Sequence, residues 1–222
     1  MHDKSVRYAQ LVSARHACTH CVGLENPSRV NSQYDSDQIG PWTLWQGNLE
    51  AEIMIVGQDW GDVRYFTTNT GHEAPHNPTN EMLRTLLKSI GVTIAPPSLQ
   101  DNSGGVIFLT NAVLCLKQAG LQAAVRPEWF QNCGESFLKP TIDLVAPKVL
   151  ITLGESAYRT ICALYGLPRL KFREAVTGSF HLNEQISYFP MYHCGRRILN
   201  THRPLDQQRA DWARVLPALI MG

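Results

Sequence analysis

Three residue types with complementary chemistry stand at the ends of apolar runs in this sequence. Asp59 follows Ile53–Gly57, Asn111 closes Val106–Asn111 and His193 closes Tyr188–His193. A carboxylate carries negative charge and orients water, an amide presents a donor beside an acceptor, and an imidazole exchanges a proton near neutral pH. Singly, an Asp or Asn in such a place is as often a turn or helix cap. Their shared position after a strand makes them candidates for one site. Four cysteines form a second set, spaced C-x2-C-x93-C-x17-C as Cys18, Cys21, Cys115 and Cys133. A self-contained zinc finger uses two close pairs, so this spacing predicts a metal centre that clips the N-terminal segment to the body of the fold. A thioredoxin-like redox pair is not expected, because Cys18 and Cys21 precede the first sheet strand. Cys162 and Cys194 read as buried thiols, and His16 and His20 are reserve zinc ligands.

The elements that must position these residues are legible as alternating patterns. Ile53–Gly57, Val106–Asn111, Val149–Gly154 and Tyr188–His193 fit strands buried on both faces of a parallel sheet. Helical spacing predicts helices over Lys4–Ala14, Thr79–Ile90, Glu155–Tyr165 and Asp206–Ile220, with Gly91 ending the second. Pro127 opens another, whose apolar face carries Phe130, Phe137, Leu138 and Ile142. The pattern is α/β: a three-layer α/β/α sandwich around a mainly parallel four-stranded sheet, in one domain over residues 1–222. Open parallel sheets bind ligands beyond the carboxyl ends of their strands, which is where Asp59, Asn111 and His193 fall.

Composition narrows the class without naming a function. Apolar residues make up 44% and charged residues 18% of the chain, a balance that excludes a disordered or fibrous protein. The apolar runs are too short to span a bilayer. The mixed, polar opening Met1–Arg15 predicts a cytoplasmic chain without a secretory leader, in which the cysteines stay reduced or bind metal. Net charge is +1, but it is unevenly divided: residues 1–110 hold 7 Lys and Arg against 11 Asp and Glu, and residues 111–222 hold 13 against 8. The second half can therefore present a basic face to a phosphate backbone.

From Cys18 onward these pieces resemble the uracil-DNA glycosylase superfamily, most closely its iron–sulfur family four. Cys18–Leu24 matches the paired-cysteine motif, and "IMIVGQDWGD" at Ile53–Asp62 matches the first strand and its active-site turn. Thr110–Cys115 matches T-N-x-V-x-C, Cys133 with Pro147–Gly154 matches a cysteine helix followed by P-K-V-x-x-x-L-G, and Tyr192–Arg197 matches the closing histidine motif. The resemblance implies a monofunctional DNA glycosylase that flips a uracil or modified pyrimidine out of the helix and hydrolyses its N-glycosidic bond. Asp59 would serve the sugar side and orient water, and His193 would donate to the base as negative charge builds. Asn111 would read the base edge, with Gln58, Trp60 and Gly61 around it. Trp60, Tyr65 and Phe66 are the candidate stacking rings. The family's own stacking position falls near Pro75 or His76. Arg196, Arg197 and Arg203 would touch phosphates, with Leu199 or an arginine filling the vacated gap. Cys18, Cys21, Cys115 and Cys133 would hold a [4Fe–4S] cluster, zinc being the alternative from the same four thiolates. DNA is the expected partner, and a monomer the expected state. No lysine nucleophile stands in the matched motifs.

The sequence also departs from that family. Gly57-Gln58-Asp59-Trp60-Gly61 replaces G-E-A-P-G, and its Gln-Asp pair resembles the G-Q-D-P-Y of family one. Gly61 stands where family one has the tyrosine that rejects a C5 methyl group. Cys115-Leu116-Lys117-Gln118 replaces the K-C-R-P-P continuation. A glycosylase for a bulky 5-modified cytosine or uracil in foreign (phage) DNA is therefore one alternative. A non-catalytic DNA-damage-binding protein and a zinc-clipped hydrolase of a nucleotide-like ligand are the others.

Overall fold

The computed structural model describes residues 2–99 and 105–220. Its strands, in chain order, are β1 (Leu24–Glu25), β2 (Ile53–Asp59), β3 (Ile107–Val113), β4 (Leu116–Lys117), β5 (Val149–Leu153), β6 (Phe180–His181) and β7 (Ser187–Met191). The main sheet has the order β3-β2-β5-β7-β6. The first four strands of that order run parallel, and β6 pairs antiparallel with β7. All four expected strands are present. The sheet is five-stranded rather than four-stranded, because the two-residue β6 was too short to leave a pattern. β1 and β4 form a separate antiparallel ribbon.

Both faces of the sheet are covered, so successive residues along a strand enter different cores. Met54, Val56, Phe108, Leu150 and Tyr188 pack under the helix His2–Ala17, the helical run from Pro127 to Val145, and the helix Glu155–Tyr165. Ile53, Ile55, Leu109, Ile151 and Phe189 pack on the other side under the helices Pro78–Ser89 and Leu205–Ala213. Burying one Val, Leu or Ile contributes about 1.5–3 kcal/mol, so a strand with no solvent face is strongly held in register. The outer edge of β3 is closed by the Pro41–Gly47 segment, through Leu109 N–H to Gln46 O at 2.8 Å and Thr43 Oγ1 to Leu109 O at 2.6 Å. Among the described residues no helix is long and apolar enough to cross a membrane.

The helix boundaries follow local chemistry. Asn77 caps Pro78–Ser89, its Oδ1 accepting from Thr79 N–H, and Gly91 ends that helix at φ +80°. The helix opened by Pro127 runs to Cys133, passes through a π-turn at Gly134–Leu138 and continues over Lys139–Val145. The expected Asp206–Ile220 helix is two helices, Leu205–Ala213 and Leu216–Ile220. A turn at Arg214 separates them, with its guanidinium bonded to the carbonyls of Val176 and Gly178.

Candidate active site

The chain passes from β2 to β3 on one side and then crosses to β5 on the other, so the switch point of the sheet lies at the carboxyl end of β2. A cavity of about 480 Å³ opens there. Asp59, Gln58, Trp60, Asn111 and His193 all line it. A larger groove of about 730 Å³ runs between Phe130, Arg159 and Leu164, but no comparable set of groups converges in it. Chemistry, not volume, selects the first.

Asp59 is the last residue of β2, and its carboxylate is held at both oxygens. Lys117 Nζ lies 2.9 Å from Oδ1, and Gln58 Nε2 donates to Oδ2 at 2.6 Å. Asn111 is buried opposite Gly57 in the β2–β3 register. A Cβ at Gly57 would stand 2.6 Å from Asn111 Nδ2, so glycine at this position is what makes room for the amide. His193 follows β7 by two residues. Its Nδ1 accepts from Gly195 N–H at 2.9 Å, which leaves the neutral ring's proton on Nε2. Burial pulls its pKa below the usual histidine value, while the Asp59 charge acts the other way. Gly154, at φ +92°, turns the chain from β5 into the next helix, and a Cβ there would stand 3.7 Å from His193 Cβ.

The surrounding wall departs from expectation in several places. Gly61 does not line the cavity; its carbonyl accepts from Lys117 N–H at 3.1 Å, and a Cβ there would stand 3.3 Å from the Tyr65 ring. Phe66 is fully buried, edge-on to Trp60 and Tyr34, and is unavailable for stacking. Pro75 and His76 lie outside the cavity, His76 exposed beside Glu81. Trp60, Tyr65 and Trp42 supply the rings of the wall. Arg203 is committed to a two-bond pair with Asp211 at 2.6 and 2.8 Å and sits over the Tyr192 ring, so it braces the loop after His193 and is not free for a phosphate. Arg196 and Arg197 are exposed at the start of the helix Arg196–Thr201. Ile198, rather than Leu199, reaches the cavity.

Two charged residues at the site were not anticipated. Lys117 stands in the cavity wall, in the stretch after Cys115 where the sequence departs from the family pattern. Glu73 is the hub of a buried network, accepting from Trp60 Nε1, Tyr65 OH at 3.1 Å, Asn80 Nδ2 at 2.7 Å and Asn77 Nδ2 at 3.3 Å. Burial raises its pKa, and these four donors pull it partly back. The only sequence signal was a carboxylate within a polar stretch that also supplies a helix cap.

The four cysteines converge as well. Cys18, Cys21, Cys115 and Cys133 line one cavity of about 200 Å³. Burial pushes the Cys115 thiol up to about 12 and Cys133 well above its ordinary value, and the other thiols of the quartet add to both shifts. Leu114 N–H points at Cys133 Sγ (3.4 Å) and Asn132 Nδ2 at Cys21 Sγ (3.7 Å). Arg15 also lines this cavity, and its buried Nε has no partner. Asn26 Nδ2 holds the end of the first helix by donating to the carbonyls of Arg15, His16 and Cys18. His16 is turned to Ser36 O and Asp35 instead. Among the described residues no three His, Cys, Asp or Glu side chains stand close enough to hold a single metal ion. The donor set and the space fit a multi-atom sulfur-ligated centre better than one tetrahedral ion, which needs sulfurs about 2.3 Å from a common point.

A sequence profile of the uracil DNA glycosylase superfamily matches residues 44–219. The chain belongs to that superfamily, and with it to the DNA glycosylases. It is similar to the type-5 uracil-DNA glycosylase of Pyrobaculum aerophilum, with 24% identity over 183 residues that cover 78% of this chain and 76% of the relative.

Proposed function

We propose that the protein is a monofunctional DNA glycosylase that accepts an extruded uracil and hydrolyses the bond between the base and its deoxyribose. The observation that carries this reading is the arrival of the Asp59 carboxylate, the Asn111 amide and the Nε2-protonated His193 at one cavity. The C1′–N1 bond breaks with its electron pair leaving on the base. His193 Nε2–H donates to the pyrimidine O2 as that charge appears, and a neutral donor needs no proton from solvent. Asp59 faces the positive character gained by the sugar and orients water toward C1′. The Asn111 amide matches N3–H and O4 of uracil; its Oδ1/Nδ2 orientation sets the preference over a 4-amino pyrimidine. Trp60, next to Asp59 in the chain, contributes a ring to the wall, and Gln58 fixes the carboxylate. Gly61 does not open the wall to a large 5-substituent, because Tyr65 packs against it. This favours uracil over the bulky modified bases of foreign DNA.

Arg196 and Arg197 would contact phosphates, with Ile198 beside the cavity mouth. Cys18, Cys21, Cys115 and Cys133 would hold a [4Fe–4S] cluster that fastens the first helix to the β3–β4 region. When bound it supplies sulfur–iron cross-links to the fold, and no step of base release is routed through it. The convergence of four cysteines on one cavity, Cys133 buried and the other three half-buried, without three of them close enough among the described residues to share a single ion, supports a multi-atom iron–sulfur centre over zinc.

The decisive experiment is abasic-site formation on oligonucleotides carrying uracil, 5-hydroxymethyluracil, cytosine or a bulky 5-modified cytosine. Uracil is expected to be released fastest. Binding of damaged DNA with no abasic product from any of them would reject catalysis. The purified protein is expected to absorb broadly near ~400 nm; a colourless protein with stoichiometric zinc would reject the cluster.

A further inference from the structure

Lys117 has no part in the reaction as written above, yet it is bound to the Asp59 segment at every level. Its Nζ lies 2.9 Å from Asp59 Oδ1 and donates to Leu121 O at 2.5 Å. Its backbone N–H donates to Gly61 O at 3.1 Å. Both side chains of the pair are nearly sealed, 5% exposed for Lys117 and 7% for Asp59. No other lysine or arginine among the described residues lines the cavity. The residue is also fixed from behind. It ends β4, two positions after Cys115, and pairs there with Leu24 of β1, three positions after Cys21. The cysteine-lined segment therefore meets the reaction site on both sides of Cys115, through Asn111 four residues before it and through Lys117 two residues after it.

We propose that Lys117 is a positioning residue for base release, whose ammonium fixes the orientation of the Asp59 carboxylate toward the sugar and its attacking water. The proposal rests on the role assigned to Asp59 above. A carboxylate with Gln58 alone would keep one oxygen free to rotate into the space a water must occupy. The ammonium fills that direction and also balances the carboxylate when DNA seals the cavity. An amine held in an ion pair has no lone pair for attack on C1′, so the geometry suits orientation and not covalent chemistry.

The test is a double-mutant cycle between Lys117→Met and Asp59→Asn, read by single-turnover uracil release and by affinity for an abasic-site oligonucleotide. Lys117→Met is expected to slow release about 10²-fold, the scale of a 1 Å misplacement. Affinity for the abasic oligonucleotide should fall far less than the rate, by no more than about threefold, since the exposed arginines that would meet the phosphates are untouched. The double variant should be no slower than Asp59→Asn, and Lys117→Arg should recover much of the lost rate. The double variant also removes both buried charges together, so it reports even if Lys117→Met folds poorly. Multiplying losses, an unchanged rate in Lys117→Met, or a borohydride-trapped protein–DNA adduct that needs Lys117 would each overturn the proposal. A wild-type rate in Asp59→Asn would instead sink the reading of Asp59 itself.

Discussion

Cys115 lines one cavity and Lys117, two residues on, lines another, yet the two walls differ in kind. The first is a single donor type repeated four times, with burial and mutual repulsion raising the thiols of Cys115 and Cys133. Such a wall is unfavourable until a positive centre joins it, and it suits a permanent guest. The second mixes carboxylates, amides, an imidazole and an ammonium, with the buried charges already answered by neighbours. Asp59 has Lys117 and Gln58; Glu73 has four neutral donors. That wall is stable when vacant and suits a guest that comes and goes. On the proposed reading, the contrast separates a part that holds the fold from a part that turns over substrate.

The sharpest way to break this distinction is to disturb one wall without touching the other. Gly57→Ala should force a Cβ against the Asn111 amide and lower kcat/KM on uracil-containing DNA about 10- to 100-fold, as loss of one or two well-placed polar contacts does. Steady-state kinetics on the same oligonucleotide check it, and the visible absorbance should stay unchanged. Glu73→Gln should cost about 1–3 kcal/mol, because an NH2 group would face the amide and hydroxyl donors now satisfied by the carboxylate. Its measure is the denaturation midpoint in urea. The loop after His193 offers a smaller and internal comparison. Arg196→Ala with Arg197→Ala should reduce the slope of log K against log salt by about 0.9 per lost phosphate contact. Arg203→Ala should leave that slope alone and lower thermal stability, since its partner is Asp211. The smallest effect is on His193. Its NMR titration should fall below the ordinary value of about 6.5. In Asp59→Asn it should fall further, because the carboxylate that favours the imidazolium has been removed. The neutral ring, and with it the Nε2 donor, then persists to lower pH.

Much of this architecture is legible in the sequence, for identifiable physical reasons. Strands without a solvent face must be continuous apolar runs, so β2, β3, β5 and β7 announced themselves, and their carboxyl ends brought Asp59, Asn111 and His193 together. The cysteine quartet was legible because thiols are few and their spacing is coarse. What escaped depends on side-chain direction. Lys117 and Glu73 look like solvated charges in the sequence, and only packing turns them inward. Arg203 looks like its neighbours Arg196 and Arg197 until Asp211 is seen beside it, eight residues along the chain. The resemblance puts Gly61 at the pocket wall, whereas its backbone bond to Lys117 holds it outside the cavity, against Tyr65 and Leu121.

The most direct measurement is single-turnover release of uracil from a labelled oligonucleotide by wild type, Asp59→Asn and His193→Ala, with DNA affinity measured alongside. Each substitution should slow release by about 10²- to 10⁴-fold while the affinity for DNA is retained. Release at the wild-type rate by both variants would contradict the site.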